Sequence, residues 1–176
     1  MVEMVKIAVC GSAFGTDEDI LNKAEAIGRE IAKNKDILLT GGCKGYPYAS
    51  LKGALLEGCR VIVYSPAKDE SEHREKYDFP IEQGVEYRFT GLGIPGRNIP
   101  LVESADSVII IGGKIGTLNE FTLAFHQKKR IGVLEGSGGV TKLIREIADI
   151  CDKEGEKDNI IYEQEPRILI HKLVNQ

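Results

Sequence analysis

Short apolar runs that end at glycines recur along this sequence, and each is followed by a segment with helical spacing of apolar residues. The first run, 5–10, precedes a helical pattern over 17–34, and the second, 37–40, precedes another over about 48–58. Strands joined by helical crossovers pair in parallel and are covered on both faces, so they are apolar throughout. The alternation predicts an α/β fold: a doubly wound, mainly parallel sheet with helices on both faces.

The same alternation continues towards the end of the chain. Residues 66–83 interrupt it with charged residues and two prolines, and we interpret them as a solvated connection or lid. The 176 residues and 42% hydrophobic content suit one core, so we expect a single domain over 1–176. The remaining predicted strands are 60–64, 85–89, 106–111 and 130–134, and the remaining predicted helices are 117–127, 141–151 and 166–174.

Composition excludes several classes of function. A net charge of −4 and an isoelectric point near 5.5 argue against a nucleic-acid partner, which requires a basic face. No apolar run is long enough to span a membrane, so we expect no membrane partner and a cytoplasmic location. The three histidines are far apart and no CxxC pair occurs, so we expect no metal. We interpret the four cysteines as reduced thiols.

Three of the predicted strands end in glycine-rich loops, at 11–15, 41–45 and 112–117. The carboxyl ends of parallel strands share one edge of a sheet, where glycine amides and helix N-termini can converge on an anion. The loops therefore predict one site for a nucleotide-like phosphorylated ligand. The alternative is that each glycine only forms a tight turn. The first loop is GSxxG rather than GxGxxG, and Ile115 follows Lys114, so neither an NAD motif nor a P-loop is present.

The segment from 96 to 120 contains the most informative motifs. A Gly-Arg-Asn motif at 96–98, in which Arg97 is predicted to lie ahead of a short helical segment, is followed by GGKIGTLNE at 112–120. This arrangement resembles the LOG or "lysine decarboxylase-like" superfamily of Rossmann-like proteins, in which an arginine-containing motif precedes PGGxGTxxE. The resemblance spans roughly 5–133. The residues that match the second motif are Gly113, Gly116, Thr117 and Glu120.

The sequence also departs from the LOG pattern at three positions. Gly112 stands in place of the proline, Lys114 in place of the second glycine, and Asn98 where the hydrolases usually have lysine. The Gly-Arg-Asn form instead resembles the branch that contains the molybdenum cofactor carrier proteins. Two functions therefore stay open: a phosphoribohydrolase and a non-catalytic carrier of a molybdopterin-type cofactor.

The resemblance implies a role for individual residues. LOG enzymes cleave nucleoside 5′-monophosphates into free base and ribose 5-phosphate, which implies that Arg97 and Glu120 are catalytic. A carboxylate can stabilise an oxocarbenium-like sugar or orient water, and arginine can anchor an anion. Alternatively, Glu120, expected on the first turn of its helix, only favours the helix N-terminus. The predicted ligand-binding residues are Gly11, Ser12, Gly41, Gly42, Asn98, Gly113, Lys114, Gly116 and Thr117.

The resemblance also bears on ligands and assembly. Hydrolysis would require no cofactor, whereas a carrier would hold a nucleotide or molybdopterin-type cofactor without cleaving it. A third hypothesis, a sensor of a nucleotide-derived signal, has no specific support in the sequence. The family resemblance implies a homodimer or homotetramer, and Phe121 and Phe125 make their helix apolar on more than one side. The alternative is that these residues serve the core alone.

Overall fold

The fold is built on one seven-stranded sheet, and all six pairs of neighbouring strands are parallel. The computed structural model describes residues 4–175. The strand order across the sheet is β4-β3-β2-β1-β5-β6-β7. The strands are β1 (Lys6–Gly11), β2 (Ile37–Thr40), β3 (Val61–Ser65), β4 (Val85–Phe89), β5 (Ser107–Ile111), β6 (Arg130–Leu134) and β7 (Ile160–Glu163).

Helices cover both faces of this sheet, and a separate apolar core lies beneath each layer. The helices are α1 (Glu18–Lys33), α2 (Gly45–Leu56), α3 (Glu70–Glu75), α4 (Gly93–Glu103), α5 (Ile115–His126), α6 (Ile144–Cys151) and α7 (Pro166–Asn175). One core contains residues of α1, α2 and α7, and the other contains residues of α4, α5 and α6. The predicted Rossmann-like, doubly wound α/β fold is therefore confirmed. The assignment of 1–176 to a single domain stays a prediction.

Local sequence explains how the first crossover forms. The apolar residues of α1 recur every three or four positions and are buried against the sheet, while the Asp17 carboxylate accepts a hydrogen bond of 3.2 Å from the Ile20 amide. The strand predicted at 106–111 lies beside the central β1, and every residue of β5 is buried. These elements hold the carboxyl ends of β1 and β5 side by side.

Three elements differ from the sequence predictions. The segment 66–83 is more than a solvated connection, because it contains α3, and His73 on that helix is fully buried. Helix α4 begins at Gly93, so Arg97 lies inside a helix rather than ahead of one. The strand β7 was not predicted, because it has only four residues, of which one is buried, and it lies at the edge of the sheet.

Among residues 4–175, no helix has the length and apolar character needed to cross a membrane. The cytoplasmic location stays a prediction.

Candidate functional site

A cavity of about 300 Å³ lies at the carboxyl ends of β1, β2 and β5. The chain runs outwards from β1 through β2 and β3 to β4, and then crosses back to place β5 on the other side of β1. Such a reversal of strand order leaves a crevice between the diverging loops, and ligands of open α/β sheets bind there. The position of the cavity thus follows from the topology of the sheet.

Most of the residues predicted for the site meet in this cavity. Gly42 and Gly113 are the two that do not line it within the described chain. Both have positive φ, +77° and +88° respectively, and a Cβ on Gly42 would lie 2.9 Å from the His73 ring. They shape the loops without facing the cavity. The predicted residues that line the cavity are Gly11, Ser12, Gly41, Arg97, Asn98, Lys114, Gly116, Thr117 and Glu120.

The loop after β1 is fixed against the start of α2. The Tyr46 amide donates a hydrogen bond of 3.0 Å to the Ser12 carbonyl oxygen. A Cβ on Gly45 would lie 2.1 Å from that same oxygen, and a Cβ on Gly15 would overlap the Tyr46 ring. Because both glycines allow this close approach, the loop and the helix form one wall of the cavity.

An ion pair between α4 and α5 lies in the cavity wall. Arg97 Nη1 is 3.2 Å from Glu120 Oε1, and the two residues are only 4% and 7% exposed. The guanidinium lies directly against Gly41, where a Cβ would come within 2.0 Å of Nη1. Gly41 is therefore needed for space. Glu120 is the sixth residue of α5, beyond the first turn. The helix-terminus explanation of Glu120 is thus wrong, because that effect fades within one turn.

Burial controls the protonation of the groups around this pair. Burial raises the pKa of Glu120 above its ordinary value, although the Arg97 charge opposes the shift. Burial also raises the pKa of the Cys10 thiol, and it raises that of Cys43 to about 11. Both thiols line the cavity and are neutral near pH 7. They are packing residues rather than activated nucleophiles.

Two buried polar atoms of the wall have no hydrogen-bond partner among residues 4–175. They are Arg97 Nε and Asn98 Oδ1. The Asn98 amide nitrogen donates to Asn119 Oδ1 at 2.8 Å, which orients the side chain. A buried polar group without a partner is costly, and such atoms in a cavity indicate a site for a ligand or water. No group of three or more His, Cys, Asp or Glu in the described chain could hold a metal ion.

Sequence reasoning missed the apolar side of the cavity. Phe14 lines the cavity and lies between Gly11 and Gly15. An aromatic residue inside a glycine-rich loop is a sequence signal that could have identified the apolar side. Ile115 occupies the variable position x of the PGGxGTxxE motif, so the motif itself could have identified it. Phe79 comes from the charged segment 66–83 and reaches the cavity only through the tertiary fold, so no sequence pattern identifies it.

The parallel sheet and the glycine loops at its switch point define a Rossmann-like α/β protein with a cavity at that point. Over residues 4–170 the chain matches the SLOG cluster4 family, and it belongs to this family. The predicted resemblance to the LOG-type superfamily is thereby confirmed.

Related proteins extend this assignment. An uncharacterized protein of Archaeoglobus fulgidus is 32% identical over 135 residues, which is 76% of this chain and 82% of that one. The molybdenum cofactor binding protein of Rippkaea orientalis has 26% identity and a TM-score of 0.78, covering 98% of this chain and 96% of its own. The molybdenum cofactor carrier protein of Chlamydomonas reinhardtii has 24% identity and a TM-score of 0.77, covering 99% of this chain and 100% of its own; it supports the fold alone.

Proposed function

We propose that the cavity binds a phosphorylated, nucleotide-like small molecule. The observation that carries this proposal is the convergence of three anion-binding features on one cavity. These are the loop after β1, the N-terminus of α5 from Lys114 to Thr117, and the buried guanidinium of Arg97. Backbone amides, a helix N-terminus and arginine each favour phosphate, and a switch-point crevice with all three suits a phosphorylated ligand.

Thr117 provides the most direct test of this proposal. Thr117 is buried and lines the cavity. The substitution Thr117→Val removes the hydroxyl while keeping the shape of the side chain. Calorimetric titration with AMP should show affinity weakened by about 0.5–1.5 kcal/mol, or about 1.5–3 kcal/mol for a hydrogen bond to charged phosphate. Thr122→Val on the exposed side of α5 is the matched control and should bind normally. Equal affinities for all three proteins would remove Thr117 from the phosphate site.

Hydrolysis of the N-glycosidic bond is the first candidate activity, and the Arg97–Glu120 pair favours it. A carboxylate held in a low-dielectric cavity by an arginine can stabilise an oxocarbenium-like sugar or position water against it. In this scheme Arg97 anchors the ligand and orients Glu120. Burial also raises the pKa of Glu120 above its ordinary value, a direction that is typical of carboxyl groups in acid–base catalysis.

Base release distinguishes hydrolysis from carriage. If the protein is a phosphoribohydrolase, the wild type should release adenine from AMP, and Glu120→Gln should slow release by about 10²–10⁴-fold. Chromatography of the free base measures the rate, with Glu103→Gln on the exposed end of α4 as control. AMP binding should survive in Glu120→Gln, because the amide is nearly isosteric. Undiminished release in Glu120→Gln would contradict this mechanism.

Carriage of a molybdopterin-type cofactor is the second candidate, and the likeness to the Rippkaea orientalis protein favours it. The cofactor would be cargo, with its phosphate at the loops and at α5. Lys114 adds a positive charge to a loop that is neutral in the hydrolases, and Arg97 Nε and Asn98 Oδ1 offer unused polar contacts. A carrier should bind the cofactor and release no base from any 5′-monophosphate, and Glu120→Gln should change affinity only modestly.

A further inference from the structure

Large apolar side chains lie at the mouth of the cavity beside the exposed Lys114, in contrast to the buried ion pair in the cavity wall. Phe14 is 88% exposed, Ile115 is 80% exposed and Ile94 is 43% exposed, yet all three line the cavity. They come from three separate elements: the β1–α1 loop, the first position of α5 and the second position of α4. Exposed large apolar side chains gathered around one opening indicate a surface that something apolar covers.

The exposed aromatic ring sits on a fixed loop. The Phe14 amide donates to Ser12 Oγ at 3.3 Å, and the glycine that follows, Gly15, packs directly on the Tyr46 ring. Tyr46 itself is buried and donates its amide to the Ser12 carbonyl oxygen. Phe14 is therefore presented at the mouth by a loop anchored on both sides, so binding there would require little ordering of the backbone.

The apolar mouth and the charged wall of the cavity together suit an amphipathic ligand. A sugar phosphate alone could satisfy Arg97 and the glycine loops, but it would leave Phe14 and Ile115 in water. A planar heteroaromatic ring attached to that phosphate would cover them, because flat rings stack on aromatic and aliphatic side chains regardless of their edge groups. The rim has this capacity without any base-specific hydrogen bond.

We propose that Phe14, Ile94 and Ile115 form a clamp for the planar heteroaromatic ring of the ligand, with Phe14 as its main contact. This inference rests on the proposed function, since it takes the phosphate to lie deeper in the same cavity. It defines the ligand class as ring-bearing phosphates, such as purine nucleotides or phosphorylated pterins, and it excludes simple sugar phosphates as preferred ligands. The clamp sets affinity and specificity through the ring, whereas Arg97 and Glu120 act on the sugar phosphate part of the ligand.

Titration of AMP, GMP and ribose 5-phosphate into the full-length protein tests the clamp. The wild type should bind both nucleotides at least about 10-fold more tightly than ribose 5-phosphate. Phe14→Ala should weaken nucleotide binding by about 10-fold and leave ribose 5-phosphate binding unchanged, while Phe14→Tyr should retain wild-type affinity. Leu56→Ala, which removes another exposed apolar side chain away from the cavity, is the control. Chromatography after each titration verifies that the nucleotides are intact.

The outcomes separate this inference from the proposed function. Tight binding of all three ligands with no effect of Phe14→Ala would overturn the clamp and leave phosphate binding at the cavity intact. A shift in oligomeric state in Phe14→Ala, seen by light scattering with nucleotide affinity unchanged, would also overturn it, because a second copy would then cover the rim. Failure of the wild type to bind any of the three ligands would overturn the proposed function and the clamp together.

Discussion

At the residue scale, the adjacent glycines Gly41 and Gly42 show how one sequence signal can have two physical origins. Gly42 has φ of +77°, a backbone conformation that favours glycine, and a Cβ on this residue would point towards Val63 and His73. Gly41 is instead required for space, because the Arg97 guanidinium occupies the position of its missing side chain. The sequence shows both as parts of one glycine loop. Only the structure shows that Gly42 shapes the loop, whereas Gly41 leaves space for the Arg97 guanidinium.

Gly41→Ala is therefore expected to act through the ion pair. Arg97 must move away from a new Cβ, which leaves Glu120 buried without its partner. Disruption of a buried pair in this way should lower the free energy of unfolding by about 3–5 kcal/mol. Urea denaturation measures this change. Gly116→Ala is the matched control, because a Cβ there meets open space and the residue lies within α5. Equal stabilities of the two variants would show that Arg97 is free to relocate.

At the element scale, α3 and its flanking turns are where charged composition misled the prediction. His73 is fully buried among Phe79, Tyr87 and Phe89, with ring centroids 5.4–6.0 Å apart. The Pro80 carbonyl oxygen can only accept, so His73 Nε2 carries the proton, and Nδ1 at 2.7 Å accepts from the Ser65 hydroxyl. One buried histidine thus ties the segment to β3 and β4. Its many charged neighbours conceal this in the sequence.

Burial lowers the pKa of His73 below its ordinary value of 6.5, and this predicts a pH dependence of stability. Below that pH the unfolded chain binds a proton that the folded chain excludes. The free energy of unfolding should therefore decrease as the pH is lowered below about 6.5. For one proton the decrease is at most about 1.4 kcal/mol per pH unit. Thermal unfolding between pH 5 and 8 measures this slope.

His73→Phe should flatten the slope between pH 5 and 6.5 relative to the wild type, although the variant is less stable at every pH because Ser65 loses its partner. His126→Gln, which changes an exposed histidine of α5, should keep the wild-type slope. Parallel curves for the wild type and His73→Phe would show that His73 does not control the pH dependence.

At the scale of the whole molecule, the alternation of apolar runs and glycine turns was sufficient to predict the parallel sheet, because it reflects burial of strands on both faces. The edge strand β7 and the cavity lining of Phe79 escaped prediction, since neither depends on a local pattern. A subunit interface at α5 also stays a prediction, because Phe125 is only half-buried against the core. Phe121 belongs to the core, and the exposed residues of this helix include Asn119, Thr122 and His126. The homodimer or homotetramer stays a prediction.

The central claim is that the switch-point cavity binds phosphate, and a crystal structure of the protein with bound AMP tests it most directly. The phosphate should lie against Ser12 and the N-terminus of α5 at Gly116 and Thr117, with the adenine at the rim formed by Phe14 and Ile115. Clear density for AMP confined to the opposite edge of the sheet, at the amino ends of β1 and β5, would contradict the account.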